Sequence, residues 1–163
     1  MSSTLYVDNL IEKTSGNGVH IPGHVIQVVK KVVDQSSHSN MVSTSYLDIT
    51  NSALSITPKY TNSIIRFTCS IYLHVQPGCQ FGYSLFRDST DVSSLYNSAK
   101  FGSYGPGNTS DPTYDRFHAV MSDTPNTTSA TTYSIRFYRE FGSASLYVHS
   151  NGINEFYLEE IAQ

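Results

Sequence analysis

Residues 65–75 read IRFTCSIYLHV, and the strict alternation in this stretch decides the fold. Every second residue from Ile65 to Val75 is apolar, whereas most of the residues between them carry polar or amphipathic side chains. An alternation of period two predicts a half-buried β-strand. After a break at residues 76–78 the pattern resumes over residues 81–86, and the two runs together predict a β-hairpin.

Further short runs of the same character follow along the chain and are separated by turn residues. They cover about residues 24–33, 46–49, 53–57, 117–121, 133–138, 144–148 and 156–161. No segment carries a helical stripe of apolar residues. Charged residues make up 14% of the chain, whereas an ordinary soluble domain has about 25%. Eight or nine short strands separated by turns predict an all-β protein, an antiparallel β-sandwich or a jelly roll.

The first 23 residues differ from the rest of the chain. An apolar stretch at residues 5–11 precedes a glycine-containing turn at residues 14–18, and a second short strand ends at Pro22 and Gly23. A lone hairpin of this size is marginally stable in water and therefore needs a partner. The partner is either the body of the domain or other copies of the segment around an axis, and we favour the copies.

Both ends of the chain resemble those of tailed-phage fibre and appendage proteins. LYVDNLI at residues 5–11 and GNGVHIPG at residues 16–23 are similar to the N-terminal units of that family. FYLEEIA at residues 156–162 is similar to the closing strand of its globular tips. The resemblance implies a virion protein that forms a homotrimer, with residues 1–23 as a short β stem and residues 24–163 as a jelly-roll head.

The resemblance also implies how such a protein would work. The stem would attach to tail, neck or capsid proteins of the particle, and the head would contact host cell-surface polysaccharide. No basic region followed by an apolar one opens the sequence, so we expect synthesis in the host cytoplasm and incorporation into the virion. The near absence of a shaft favours a stubby knob, a head decoration or a small adhesin over a long tail fibre. The residues expected to attach the stem are Leu5, Val7, Leu10, Val19 and Ile21.

The loop from Tyr96 to Asp115, within a loop-like stretch that begins at Asp91, is the candidate ligand site. It is long, rich in glycine and predicted to be a loop, and long loops in compact domains are usually functional or mobile. Aromatic rings stack on sugar rings, and the same residue types dominate the contact loops of antibodies. The competing interpretation is that these rings pack on a neighbouring subunit or cover the edge of the core. The candidate glycan-binding residues are Tyr96, Phe101, Tyr104, Tyr114 and Asp115.

Two other functions stay open beside host attachment. The first is capsid decoration or cement, a structural role without a host ligand. The second is degradation of polysaccharide, for which paired carboxylates are needed. Glu155, Glu159 and Glu160 lie near one another in the sequence, but we expect them to be solvated or paired with arginine, and we expect no enzyme. The sequence has no Gly-x-Ser-x-Gly elbow and no phosphate-binding glycine loop.

Charge and motif content set further expectations. The net charge is −3 without a basic patch, and no apolar run reaches about 18 residues, so we expect neither nucleic-acid binding nor membrane insertion. His20 and His24 could each place three imidazoles around a threefold axis. We expect them to be surface residues, and we expect no metal and no cofactor. Cys69 is expected to be a free buried thiol, with a disulfide to Cys79 as the alternative.

Overall fold

The computed structural model describes residues 21–34, 39–78, 80–92, 101–104, 113–148 and 152–163, together with residues 9, 11 and 16. Within these ranges the regular secondary structure consists of strands, and no helix there is long and apolar enough to cross a membrane. The strands are β1 (Val25–Val33), β2 (Ser39–Met41), β3 (Leu47–Asp48), β4 (Leu54–Ile56), β5 (Ile64–Val75), β6 (Gln80–Arg87), β7 (Thr90–Asp91), β8 (Phe101–Tyr104), β9 (Thr113–Asp123), β10 (Thr131–Phe141), β11 (Leu146–Val148) and β12 (Asn154–Ile161).

The front sheet is built around β5 and contains β1, β2, β5, β9, β11 and β12. β9 pairs with β5 along one edge, from Ile65 to Val75. The other edge of β5 is shared, because β12 pairs with residues 64–70 and β11 pairs with residues 73–75. β1 continues the sheet beyond β12, and β2 continues it beyond β11. β5 is therefore hydrogen-bonded on both sides over most of its length.

The back sheet is built around β10 and β6 and also contains β3, β4, β7 and β8. β3 and β4 share one edge of β10, and β7 and β8 share the outer edge of β6. All strand pairs in both sheets are antiparallel, and the inner faces of the sheets form one core. The predicted all-β fold, an antiparallel β-sandwich, is confirmed.

The core follows directly from the alternation in the sequence. From Ile65 to Val75 every second side chain of β5 is buried, and β12 shows the same pattern. Each large apolar side chain moved out of water contributes up to about 1.5–3 kcal/mol, which is why the register of these strands is fixed. The largest buried side chains are Phe67, Phe81, Tyr133, Phe137 and Phe156.

The predicted hairpin between β5 and β6 is wrong. β5 lies in the front sheet and β6 in the back sheet, so the chain crosses from one layer to the other after Val75. Gly78, with φ of 75°, lies in this crossing. β5 has one buried face and one solvent-facing face, whereas β6 has buried residues on both faces, Phe81 and Leu85 on one and Ser84 and Phe86 on the other. Alternation identifies which face is buried, but it carries no information about which strand lies alongside.

The structure also differs from the prediction of one long loop between Asp91 and Asp115. β8 forms at residues 101–104 and pairs with β6, and β9 begins at Thr113 rather than at about residue 117. Residues 113–116 are polar or aromatic, and they join the sheet because they stay in register with residues 72–75 of β5. Backbone pairing with an existing strand outweighs the weak intrinsic preference of this segment.

Residues 21–24 lead into β1. Ile21 to His24 form a turn in which His24 N–H donates to Ile21 O at 3.0 Å. Pro22 and Gly23, with φ of 85° at Gly23, occupy the two central positions as a type II turn requires. Gly23 N–H donates to Ala162 O at 2.8 Å, and Ala162 N–H donates to His24 O at 2.9 Å. The chain thus enters the β-sandwich beside the end of β12.

The stem residues Leu5, Val7, Leu10 and Val19 lie outside the described residues, and Ile21 is half-buried. The division into a stem of residues 1–23 and a head of residues 24–163 stays a prediction.

Candidate functional site

The outer face of the front sheet carries every second residue of β5 from Arg66 to His74, in five rows. The register places one residue of β9 on one side of each row and, in most rows, one residue of β12 or β11 on the other. In the last row His74 has Tyr114 of β9 on one side and Tyr147 of β11 on the other. Rings from three strands therefore lie next to one another on a single solvent-facing surface.

These rings are in direct contact. The centroids of His74 and Tyr114 are 4.4 Å apart with an interplanar angle of 24°, and those of His74 and Tyr147 are 5.2 Å apart at 32°. Tyr72, in the preceding row, has its ring centroid 6.4 Å from that of Tyr114. Cross-strand ring pairs of this kind contribute about 0.5–1.5 kcal/mol each. We call Tyr72, His74, Tyr114 and Tyr147 the aromatic platform.

The aromatic platform presents ring surface to solvent. Tyr114 is 52% exposed, and the other three residues are half-buried. The Nε2 atom of His74 is covered and has no hydrogen-bond partner among the described residues. The platform is therefore a row of stacked rings with Tyr114 as its most accessible member.

Asn154 supports the platform at the point where β12 leaves β5. The backbone N–H of Tyr72 donates to Asn154 Oδ1 at 2.6 Å, in the gap between the segments of β5 paired with β12 and with β11. The amide nitrogen of Asn154 donates to Gly152 O at 2.9 Å and to Val33 O at 3.4 Å. This fully buried side chain supplies a partner where neighbouring strands supply none, so the backbone beneath Tyr72 stays bonded.

Arg116 borders the aromatic platform on β9. Its guanidinium carbon lies 6.0 Å from the centroid of the Tyr72 ring. Nη1 donates to Ser70 Oγ at 3.1 Å and to Ile153 O at 3.0 Å. A Cβ at Gly152 would lie 3.2 Å from Nη2, so glycine at this position leaves room for the guanidinium. The positive group is thereby fixed at one margin of the platform.

The remaining part of the outer face is different in character. Lys30 Nζ lies 2.7 Å from Glu155 Oε1, and Arg66 Nε lies 2.7 Å from Glu159 Oε2. The hydrogen bond to Glu155 raises the pKa of Lys30 to about 12, and the same bond lowers the pKa of Glu155. Three exposed valines accompany these pairs, namely Val28, Val32 and Val120.

The three neighbouring glutamates do not meet. Glu155 and Glu159 lie on the outer face, each in an ion pair within the same chain, whereas Glu160 is fully buried on the inner face. Glu160 Oε1 accepts hydrogen bonds from Lys59 N, Tyr60 N and Ser63 Oγ at 2.7, 3.2 and 2.7 Å. Its Oε2 accepts one from Gln27 Nε2 at 2.6 Å. These contacts give each carboxylate a structural partner.

The structure distributes the predicted ligand residues over two sheets. Tyr96 lies outside the described residues. Phe101 and Tyr104 belong to β8 in the back sheet, paired with Tyr83 and Gln80, and their side chains are outside the description.

Tyr114 and Asp115 belong to β9 in the front sheet, where alternation places them on opposite faces. Asp115 is exposed and accepts a hydrogen bond from the backbone N–H of Arg116 at 2.7 Å. Of the predicted set, Tyr114 alone is placed on the aromatic platform by the described side chains.

The histidines and cysteines considered in the sequence analysis are placed as follows. His24 is exposed, and His20 lies outside the described residues. No group of three potential metal ligands is found in the described ranges. Cys69 is a buried free thiol, as expected, and burial raises its pKa from 9.0 to about 12. Cys79 lies outside the described residues.

Sequence reasoning missed Tyr72, His74, Tyr147 and Arg116. A usable signal was present, because aromatic residues occupy solvent-facing positions of alternating strands that ordinarily hold small polar residues. Tyr72 and His74 alternate with the buried Ile71 and Leu73 in this way. The register that brings them beside Tyr114 and Tyr147 is not readable from the pattern alone.

No protein-family model and no curated protein matches the sequence. Among solved structures, T=1 particles derived from infectious bursal virus show a TM-score of 0.43 at 9% identity, over 95% of this chain and 41% of that chain. T=1 particles of a mutant VP2 protein of infectious bursal disease virus show 0.41 at 10% identity, over 94% and 41%. The Gx strain of infectious bursal disease virus shows 0.34 at 12% identity, over 85% and 37%.

The chain spans about two fifths of the length of these viral proteins. None of the three is a tailed-phage fibre protein, so the resemblance of the chain ends to that family stays a prediction.

Proposed function

We propose that the protein is a short knob of a phage particle, attached through residues 1–23 and contacting host-surface polysaccharide with the aromatic platform. The observation that carries the proposal is where the platform lies. Gly23 bonds to Ala162, next to the pair formed by Ile161 and Ile64 at the start of β5. His74 is near the other end of β5, and at about 3.3 Å per residue the two ends are about 33 Å apart.

This separation suits a protein held at one end and working at the other. A head attached to a particle at residue 23 would present the aromatic platform at its far end. Ring faces provide stacking surface for sugars, and phenol groups donate and accept hydrogen bonds with hydroxyls. One ring contact contributes about 1 kcal/mol by analogy with other aromatic contacts, so a single head would bind weakly. Three copies on one axis would add avidity.

Two measurements test the proposal. Purified full-length protein on a glycan array is expected to bind a subset of bacterial polysaccharides. Particles assembled with a chain lacking residues 1–23 are expected to omit the protein, although the truncated head stays folded. Normal incorporation of the truncated chain would show that the head carries the surface that docks on the particle. Absence of binding to every glycan on the array would contradict the proposed contact with polysaccharide.

Capsid decoration is the second candidate, and exposed valines favour it. Val120 is 66% exposed and Val28 54%, and both lie on the outer face of the front sheet together with Val32. Apolar side chains exposed beside ion pairs suit a contact with another virion protein. Under this function Val120→Lys would abolish incorporation, whereas under host attachment the same variant would still be incorporated.

A further inference from the structure

Arg116 is a cation held in place on one edge, and its other edge is not bonded by any described residue. Both hydrogens of Nη1 are used, one by Ser70 Oγ and one by the carbonyl of Ile153. The Nε–H and Nη2–H groups have no acceptor among the described residues. These two groups form one side of the planar guanidinium and point in parallel, which is the geometry that binds a carboxylate through two hydrogen bonds.

The charge of Arg116 is also unpaired within the described ranges, where none of the four ion pairs includes it. Glu155 lies near enough to interact with Arg116 electrostatically, but its carboxylate is bound to Lys30 at 2.7 Å. Asp115 lies on the opposite face of β9 and is bonded to a backbone N–H. His118, the next outer-face residue of β9, is exposed and adds no negative charge. The margin of the aromatic platform is therefore electropositive.

Arg116 and Tyr114 are two positions apart on the same face of β9, so they lie about 7 Å from each other along the strand. A saccharide segment of two or three sugars is long enough to contact both residues. We propose that the platform binds acidic polysaccharide, with a sugar carboxylate on the Nε and Nη2 edge of Arg116 and a sugar ring stacked on Tyr114. This inference rests on the proposed glycan contact and narrows it to carboxylated sugars.

The test compares polysaccharides that have the same backbone but differ in whether their carboxyl groups are charged. Full-length protein is titrated with polygalacturonate, hyaluronate and polysialic acid, each beside its carboxyl methyl ester, by affinity electrophoresis. At least one acidic polymer is expected to bind about 10 to 100 times more tightly than its ester, the range for a charge-assisted pair of hydrogen bonds. Equal binding of every acid and its ester overturns the inference and leaves the glycan contact intact. Absence of binding to all polymers also overturns the inference, and the wider glycan contact is then overturned only if the glycan array is negative as well.

Three variants assign the preference to the residue. Arg116→Gln is expected to bind the acidic polymer and its ester equally. Arg116→Lys is expected to prefer the acid by less than about tenfold, because lysine keeps the charge but cannot form the bidentate hydrogen bond. Arg66→Gln, which alters an arginine of the same face already paired with Glu159, is the matched control and is expected to bind like the wild type. An undiminished preference in Arg116→Gln overturns the assignment, and unchanged melting temperatures show that the variants are folded.

Discussion

The phenol of Tyr133 donates a 2.7 Å hydrogen bond to Asp123 Oδ2, and this bond joins the two sheets. Asp123 ends β9 in the front sheet, whereas Tyr133 belongs to β10 in the back sheet. Arg87 of β6 binds the same oxygen through Nη1 at 2.8 Å. Asp123 is 3% exposed, and burial raises the pKa of Tyr133 far above its ordinary value. A buried charge is thus held by one donor and one cation from the opposite sheet.

We expect the two ends of this bond to differ in their effect on stability. Tyr133→Phe removes one hydrogen bond and leaves Asp123 paired with Arg87, so the free energy of unfolding falls by about 1 kcal/mol. Asp123→Ala leaves both Arg87 and the Tyr133 hydroxyl without their acceptor, and the loss is about 2–3 kcal/mol. Urea unfolding of both variants measures the difference. Equal losses would show that Asp123 contributes no more than its bond to Tyr133.

Two adjacent glutamates offer a comparison of burial. Glu160→Ala removes the buried carboxylate that accepts hydrogen bonds from the Lys59 and Tyr60 backbone and from the Ser63 hydroxyl, and we expect it to cost about 3 kcal/mol of unfolding free energy. Glu159→Ala, the matched control, removes a solvent-screened pair with Arg66 and leaves stability nearly unchanged. Denaturant titration of the two variants measures their free energies of unfolding. Similar unfolding midpoints for the two would contradict the structural role of Glu160.

The buried thiol predicts a dependence on alkaline pH. The pKa of the Cys69 thiol is about 12 in the folded protein and 9.0 ordinarily. Between pH 9 and 12 this thiol therefore ionises in the unfolded chain but not in the folded protein. This favours unfolding as the pH rises. We expect the wild type to lose about 1.4 kcal/mol more than Cys69→Ala between pH 8 and 10, and because both proteins carry the same tyrosines, tyrosine ionisation cancels in the comparison. Equal pH slopes in the two proteins would show that the thiol ionises in the folded state.

Tyr114 is the residue of the platform whose removal should separate binding from folding. It is half exposed, so we expect Tyr114→Ala to cost about 1 kcal/mol or less, mostly from lost stacking on His74. Adsorption of particles to host cells is expected to fall at least tenfold through the combined effect of several copies. Tyr157→Ala, on the same face but under Lys30, is the control and should adsorb normally. A fall in adsorption matched by the loss of folded protein would instead indicate a packing role.

The fold was predictable to the extent that burial alone defines it. Residues 65–75 alternate so regularly that their strand and its buried face follow from the sequence, and β12 follows in the same way. The pairing partner of each strand could not be predicted from the sequence. A β5–β6 hairpin within one sheet and a crossing between the two sheets bury the same side chains, so the alternation fits both arrangements. β8 was missed because residues 101–104 contain no apolar alternation and become a strand by pairing with β6.

The candidate site was predictable in part. Tyr114 was selected for its type and its place in a polar segment, and it lies on the platform. His74 and Tyr147 come from strands far away in the sequence, and antiparallel register brings them to Tyr114. Arg116 could not be selected from the sequence, because its role depends on the hydrogen bonds that its Nη1 atom donates to Ser70 and Ile153. Such relationships depend on three-dimensional pairing and leave no trace in local pattern.

The shared edge of β5 has a consequence for motion. A strand bonded on both sides cannot release its amide hydrogens to solvent until one neighbouring strand separates, so amides of β5 should exchange with deuterium near the rate of global unfolding. β9 has one bonded edge in the described part of the chain and should exchange faster. Tyr72 and His74 therefore belong to the strand that opens last. The rings stacked on them are already held in place, so they lose little conformational freedom when a ligand binds.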